Sequence, residues 1–355
     1  MGGGIRPSPL GVYQEIMHPF RRANETEAGW AASKGETAMT AITKELNQTK
    51  RQKGFFRRLC GQWQLMVMSV PMLLYVFLFN YAPMWGWLTA FQDYQPKKGL
   101  AGSPWVGLEN FKFLFGREDF LLAIRNTLAM SVINLVFGTV SSILLAILLN
   151  EVRSKAFKRT VQTVTYLPHF LSMVIVVGMA QNIFSSNGAV NSLLMSLGLV
   201  KEPVFFLGKG EYFWWLVGVI NVWKEVGWNT IIYIAAMTSI DPSLYEAASI
   251  DGAGRFQRIL HVTLPGIKST FMVLLIMNIG HLMEAGFEIQ YLLRSGLTMK
   301  YSDTIDVFAL IYSFGSSKPH YAYGTAAGMF KSIVGIILLF GANMAAKALD
   351  EETLI

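Results

Sequence analysis

Residues 246–266 read EAASIDGAGRFQRILHVTLPG, between two long apolar runs of a largely apolar chain. Glu246, Asp251, Arg255, Arg258 and His261 supply charge, and Gly252 and Gly254 stand in the middle. The stretch is too polar to cross a bilayer, where a charged side chain at a helix centre costs about 2.5–3.5 kcal/mol on insertion scales. The preceding SIDPSLY (239–245) starts a helix well. Asp241 can cap it, and Pro242 fits the first helical position, where its missing N–H is no loss. Leu244, Tyr245, Ala247 and Ala248 continue the helix, and Gly252 is placed for a left-handed C-terminal cap. Phe256, Ile259, Leu260 and Thr263 then recur at helical spacing until Pro265 stops the run. The loop reads as a short helix, a glycine bend and a second amphipathic helix.

The runs around it set the class. Of 355 residues, 52% are hydrophobic and 15% charged, against about 25% charged in an ordinary soluble domain, so lipid is the solvent. Apolar windows fall near 63–83, 124–149, 160–184, 212–238, 269–293 and 324–347, and one span needs roughly 20 apolar residues. Six spans is the simplest count. Backbone groups in lipid must be paired within their own segment, so the spans are helices. A β-barrel would alternate over ten-residue segments, and VINLVFGTVSSILLAILL (132–149) does not. The expected fold class is an all-α membrane protein with about six transmembrane helices. Cys60 stands alone, so no disulfide framework is possible. The net charge of +7 suits a protein beside anionic lipid. Nucleic acid is the weaker reading, because the basic residues flank the spans and form no continuous patch.

The first 58 residues are polar and lack the regions of a signal peptide. Met39 opens MTAITKELNQTKRQKG, which reads like a natural start, so residues 1–38 are either an upstream extension or a flexible tail. The expected organisation is a polar segment over 1–58 and a transmembrane domain over 59–350 that contains the polar loop 239–268. Lys50, Arg51, Lys53, Arg57 and Arg58 precede the first span, and Arg153, Lys155, Lys158 and Arg159 crowd the link between the second and third. By the positive-inside rule both belong in the cytoplasm, and so do the loop and both termini. The connections near 92–123, 185–211 and 294–323 then lie outside, with a moderate asymmetry because they carry Lys97, Lys98, Lys112, Arg117 and Lys300. One of them, GSPWVGLENFKFLFG (102–116), reads either as a docking rim or as ordinary packing.

In its detail the loop resembles the EAA loop of binding-protein-dependent ABC import permeases. Glu246-Ala247-Ala248 is followed by Gly252 and Ala253, then by Ile259 and by Leu264-Pro265. Where the family often has another proline, this chain has Lys268 and Ser269. The resemblance implies a type I importer fold in which the short helix docks into a cleft on a cytoplasmic ATPase subunit. Glu246, Ala247, Ala248, Asp251, Gly252, Ala253, Leu264 and Pro265 would then couple the two, the small residues allowing close approach and Glu246 meeting a basic group. An amphipathic loop on the membrane surface accounts for the residue types but not for the whole pattern. FNYAPMWGWLTAFQDYQP (79–96), TYLPHFLSMVIV (165–176), VWKEVGWNTIIYIAAMTSI (222–240) and GFEIQYLL (286–293) are further similar to the LplB-like branch of oligosaccharide permeases, over roughly residues 60–350. That branch implies a bacterial cytoplasmic membrane, a second related permease, two ATPase subunits, an extracytoplasmic solute-binding protein and alternating access. Its substrates are mono- and oligosaccharides, including acidic ones from pectin and alginate.

The chain has no motor of its own. A P-loop needs Gly-x4-Gly-Lys-Ser/Thr, and GIKST (266–270) lacks the Gly-Lys step. There is no His-Glu-x-x-His and no Gly-x-Ser-x-Gly elbow. No cofactor is expected on this chain, and ATP and Mg enter through the partner ATPases.

Polar residues inside the windows mark a candidate substrate pathway. The fourth carries Trp223, Lys224, Glu225, Trp228 and Asn229. Adjacent helical residues point about 100° apart, so Lys224 and Glu225 are not expected to neutralise each other, and at least one should face a polar space. The fifth offers Asn278, His281, Glu284 and Glu288, whose 3, 3, 4 spacing stacks them on one helix face. They read either as a sugar-binding cavity or as interhelical hydrogen bonding, or as interface residues on tilted spans. Pro168 with His169 is expected to kink the third span, and Asn343 reads as packing. Lys97, Lys98, Lys224 and the +7 balance lean toward an acidic oligosaccharide. Three rivals stand beside an ATP-driven importer. An ion-gradient-driven secondary transporter predicts an inverted repeat, an intramembrane enzyme using His281 and Glu284 predicts activity without an ATPase, and a membrane scaffold tolerates neutralising Lys224 and Glu225.

Overall fold

A computed structural model describes residues 63–315 and 319–354. The polar N-terminal segment, Lys50, Arg51, Lys53, Arg57, Arg58 and Cys60 fall outside the described residues. The chain divides into two units, Met1–Ala82 and Pro83–Ile355. In the first, helix α1 (Trp63–Val76) contains Pro71 and continues as a π turn over Phe77–Tyr81.

In the second unit the helices include α2 (Glu118–Glu151), α3 (Lys155–Tyr166), α4 (Met173–Phe184), α5 (Gly210–Thr238), α6 (Pro242–Ile250), α7 (Lys268–Gly280), α8 (Glu288–Leu293) and α9 (Tyr321–Ala348). Among the described residues there is no strand, only a bridge between Gln92 and Trp105. Helix α2 is about 50 Å long at 1.5 Å per residue, and its faces are sorted for lipid. Leu128, Val132, Val136, Val140, Leu144 and Leu148 form an exposed stripe, whereas Asn126, Thr127, Ser131 and Ser142 are buried. Polar groups turn inward because hydrocarbon offers them no partner.

Helix α5 lies along that inner face. A Cβ on Gly218 would stand 2.6 Å from the Ile133 side chain, Asn221 Nδ2 donates to Asn134 Oδ1 at 3.4 Å, and Thr230 Oγ1 donates to the Ser142 carbonyl at 3.2 Å. Three apolar clusters follow α2 in sequence. Phe120 and Ala123 join Met283, Ile305, Phe308 and Ala326; Met130 joins Val177, Val217 and Ile289; Ala146 joins Tyr233, Met237, Ile240 and Ile267.

Helical structure fills each of the six windows, but not as six uninterrupted spans. Trp63–Phe91, Glu118–Glu151, Met173–Ser196 and Tyr321–Ala348 are long and apolar enough to cross a membrane, and Arg255–Gly266 with Lys268–Gly280, bent by 57°, makes a fifth. Helix α5 is as long, about 43 Å, but carries Lys224 and Glu225 at mid-length and is not among them. The third window is split, with an amphipathic α3, a 3-10 turn at Leu167–Phe170 around Pro168, and then α4. The fifth window is interrupted too. Helix α7 stops at Gly280, where a Cβ would stand 3.0 Å from Leu339, and the chain turns through Gly286 at φ +91° before α8.

Candidate functional site

The loop forms largely as its local chemistry dictates. Asp241 Oδ1 accepts the Ser243 amide at 2.9 Å, and Pro242 occupies the first turn of α6. Hydrogen bonds from the backbone and hydroxyl of Ser243 hold the Asp241 carboxyl below its usual range. The helix closes with the Ala253 amide on the Ala248 carbonyl at 2.9 Å, and Gly252 takes φ +78° with no atom within 4 Å of an added Cβ. Glycine is there for its backbone, not for space. Pro265 does not stop the second helix. A π turn at Ile259–Thr263 absorbs the proline, and Leu264–Gly266 continues to the 57° bend. The extra residue in the turn relieves the clash a proline ring makes with the carbonyl four residues back.

Two polar contacts brace the halves of the loop: Tyr245 Oη with Thr263 Oγ1 at 3.0 Å, and Arg258 Nη1 to Ser249 Oγ at 3.2 Å. Tyr245, Val262 and Leu264 pack on the Ala146–Tyr233–Ile267 cluster, which ties the loop to α2 and α5. Its far side is open. Glu246, Ala247, Asp251, Gly252 and Pro265 are exposed, Ala248, Ala253 and Leu264 half-buried, and Ile250 and Phe256 are 86% and 83% exposed. Ile250 and Phe256 thus present apolar side chains beside exposed Glu246 and Asp251.

The second site is a cavity of about 390 Å³ walled by α2, α5, α7 and residues 281–286. Helix α5 contributes Asn221, Glu225 and Asn229 at four-residue spacing, and α2 contributes Ser131, Asn134, Thr139 and Ser142. Asn278, His281 and Glu284 complete the polar wall. Ser131 is buried, and its Oγ has no hydrogen-bond partner among the described residues. The lining holds two carboxylates and no lysine or arginine. Among the described residues no three His, Cys, Asp or Glu side chains converge as metal ligands would.

Lys224 departs from expectation. It is 7% exposed and does not line the cavity. Its Nζ donates to the His169 carbonyl at 2.7 Å and lies 3.4 Å from Glu225 Oε1. The two neighbours do pair, because flexible side chains bridge the angle between their Cα–Cβ bonds. Glu225 Oε2 in turn meets His169 Nδ1 at 2.8 Å, and the His169 ring stacks on Trp228 with centroids 4.4 Å apart. Trp223 is 43% exposed and, like Trp228, lies outside the cavity wall.

Asn278, His281, Glu284 and Glu288 share no helix face. His281 caps α7 and bonds the Met277 carbonyl through Nδ1 at 2.8 Å. Glu284 follows in a turn, and Glu288 opens α8, exposed and away from the cavity. Asn343 accepts the Leu354 amide at 2.8 Å, a structural contact. Ser131, Asn134 and Ser142 follow helical spacings of 3 and 8 on α2, and Asn221 stands four residues before Glu225 on α5, but serine and asparagine as readily make hydrogen bonds between helices.

Residues 138–351 match the family described as binding-protein-dependent transport system inner membrane component. The chain is 45% identical over 291 residues to Protein LplB of Bacillus subtilis (strain 168), covering 82% of this chain and 90% of that one. It is 43% identical over 318 residues to the polygalacturonan/rhamnogalacturonan transport system permease protein YteP of the same organism, covering 89% and 98%. In the crystal structure of a bacterial ABC transporter involved in the import of the acidic polysaccharide alginate, one chain superposes with a TM-score of 0.75 at 39% identity, covering 82% of this chain and 98% of that one. A chain from the bacterial alginate ABC transporter in complex with an alginate pentasaccharide-bound periplasmic protein gives 0.76 at 37%, covering 84% and 99%. With its type I importer fold, the chain belongs to the binding-protein-dependent ABC importer permeases, as an inner membrane component of their LplB-like, sugar-transporting branch.

Proposed function

We propose that this permease forms one half of the pathway for uronate-type oligosaccharides, moved by alternating access. The observation that carries the reading is the cavity, an inward-turned set of amides, hydroxyls and two carboxylates joined through α2 and α5 to a loop with an exposed apolar face. Amides and carboxylates suit the many hydroxyls of a sugar. The similarity to YteP, a polygalacturonan/rhamnogalacturonan permease, and to the alginate importer favours an acidic one. Because Lys224 is engaged by the His169 carbonyl and Glu225, it does not serve as counter-charge to a uronate. That role falls to the second permease.

The loop at 241–265 would dock through Glu246, Ala247, Gly252 and their neighbours on a cytoplasmic ATPase subunit. Two such subunits supply the ATP and Mg chemistry, and the solute-binding protein docks on the opposite, extracytoplasmic side. Both termini then lie in the cytoplasm. ATP and the loaded binding protein shift the equilibrium because each binds one state better than the other.

The test is ATPase activity of the reconstituted complex with its binding protein, comparing uronate oligomers with neutral glycans of matched length. Stimulation by uronates is expected. Stimulation by neutral glycans alone removes the acidic substrate, and uptake driven by an ion gradient without ATP removes the importer mechanism.

A further inference from the structure

We propose that His169 is a positioning residue for the transported sugar, fixing the Glu225 carboxylate at the cavity wall as an acceptor for sugar hydroxyls. The proposal rests on reading the cavity as the sugar site. It begins with the break in the third span. Pro168 has no N–H to donate, and Ser172 is extended (φ −63°, ψ 146°), so α4 starts afresh at Met173. The break takes the His169 carbonyl out of a continuous helical ladder, and the buried Lys224 Nζ meets it at 2.7 Å. Trp228, one turn further along α5, lies flat on the imidazole at an interplanar angle of 4°. Backbone and ring are thus both held.

What this leaves free is Nδ1, 2.8 Å from Glu225 Oε2. A carboxylate only accepts, so Nδ1 carries the proton in this contact. The second oxygen, Oε1, faces Lys224 Nζ at 3.4 Å. Glu225 is therefore gripped through both oxygens by donors from two different spans, and each oxygen keeps lone-pair capacity toward the cavity beside Asn221 and Asn229. Glu284, the other carboxylate of the cavity, has no side-chain partner among the described residues. Hydrogen bonds to a charged acceptor are the strong ones, and an acceptor already held in place binds without the loss of rotamer freedom that a loose one incurs.

A histidine that merely fills space beside Trp228 predicts a different pattern of substitution. Asn places an amide nitrogen on Cγ, where Nδ1 is attached, and so keeps the donor but loses the ring. Phe keeps a ring on Trp228 and loses the donor.

The experiment measures half-saturating concentration and maximal rate of uptake by the complete reconstituted complex. The probes are a galacturonate and an alginate oligosaccharide, with a neutral glycan of matched length. His169→Phe is expected to raise the half-saturating concentration about tenfold, the scale of one charged hydrogen bond, more than it changes the maximal rate. His169→Asn should stay within about threefold of the wild type, since its donor remains. In a Glu225→Gln background, His169→Phe should add little, because its partner is already changed.

Impairment by Asn with a silent Phe assigns the ring to packing and overturns the proposal. Additive effects of His169→Phe and Glu225→Gln overturn it as well, with the cavity reading left standing. A Glu225→Gln variant with unaltered half-saturation for every probe taken up overturns both, and a wild-type complex that takes up none of them overturns the proposed function itself.

Discussion

Gly227 is the most sensitive position at which to test the packing behind the cavity. An added Cβ would stand 2.0 Å from the Thr165 carbonyl oxygen, 2.4 Å from its carbon and 3.0 Å from the Tyr166 ring. On an unencumbered helix Gly→Ala stabilises by about 0.8–1.0 kcal/mol. Here Thr165 O would have to retreat by roughly 1.4 Å to reach an ordinary contact, and it is main chain, which cannot swing aside. Forcing a methyl into a packed interior costs about 1–3 kcal/mol. The retreat also carries the neighbouring turn with it, and with that turn the His169 contacts to Lys224 at 2.7 Å and Glu225 at 2.8 Å. Losing one charge-assisted bond adds about 1.5–3 kcal/mol. The net expectation for Gly227→Ala is a loss of about 3 kcal/mol. Gly178→Ala is the control, because α4 has nothing within 4 Å of that Cβ, and it should be neutral or stabilising. The assay is thermal unfolding of the lipid-reconstituted complex. A Gly227→Ala complex that melts with Gly178→Ala, at or above the wild type, would refute the close approach of α3 and α5.

At Gly252 the space is open and the backbone alone is at issue. Ala should cost about 1–2 kcal/mol for its left-handed φ, Asn less, and Pro most, since it cannot adopt φ +78° and loses the Gly252 amide bond to Ser249 O at 3.2 Å. ATP-driven uptake should fall in the order Gly, Asn, Ala, Pro at equal membrane insertion, and normal uptake by the proline variant would sink the docking role of the loop. The lowered Asp241 carboxyl predicts a cap complete above the ordinary carboxylate range and lost as pH falls through its folded value. Amide exchange over residues 243–250, corrected for intrinsic rates, should lose protection below about pH 4 and be pH-independent in Asp241→Asn. A wild-type profile as flat as that of the variant would contradict the cap.

The loop was legible because its determinants are local. A capping aspartate, a proline in the first turn and a glycine that needs positive φ act within a few residues of one another, and the structure has each where the pattern puts it. The cavity was legible by half. Glu225, Asn229, Asn278, His281 and Glu284 line it, while Ser131, Asn134, Ser142 and Asn221 follow the same helical period but belong to residue types that as readily make hydrogen bonds between helices. What no spacing rule could supply was the pairing of Lys224 with Glu225 through a histidine 56 residues away, or the end of α7 at Gly280 against Leu339 of α9. Both depend on the meeting of segments far apart in the chain. The two places where helical periodicity failed have a common cause. At membrane depth non-helical backbone persists only where protein buries it or where it lines a polar space, so an interrupted span is itself a mark of such a space. The break at Leu167–Phe170 supplies the histidine that holds Glu225, and the turn after Gly280 presents Glu284 to the same cavity.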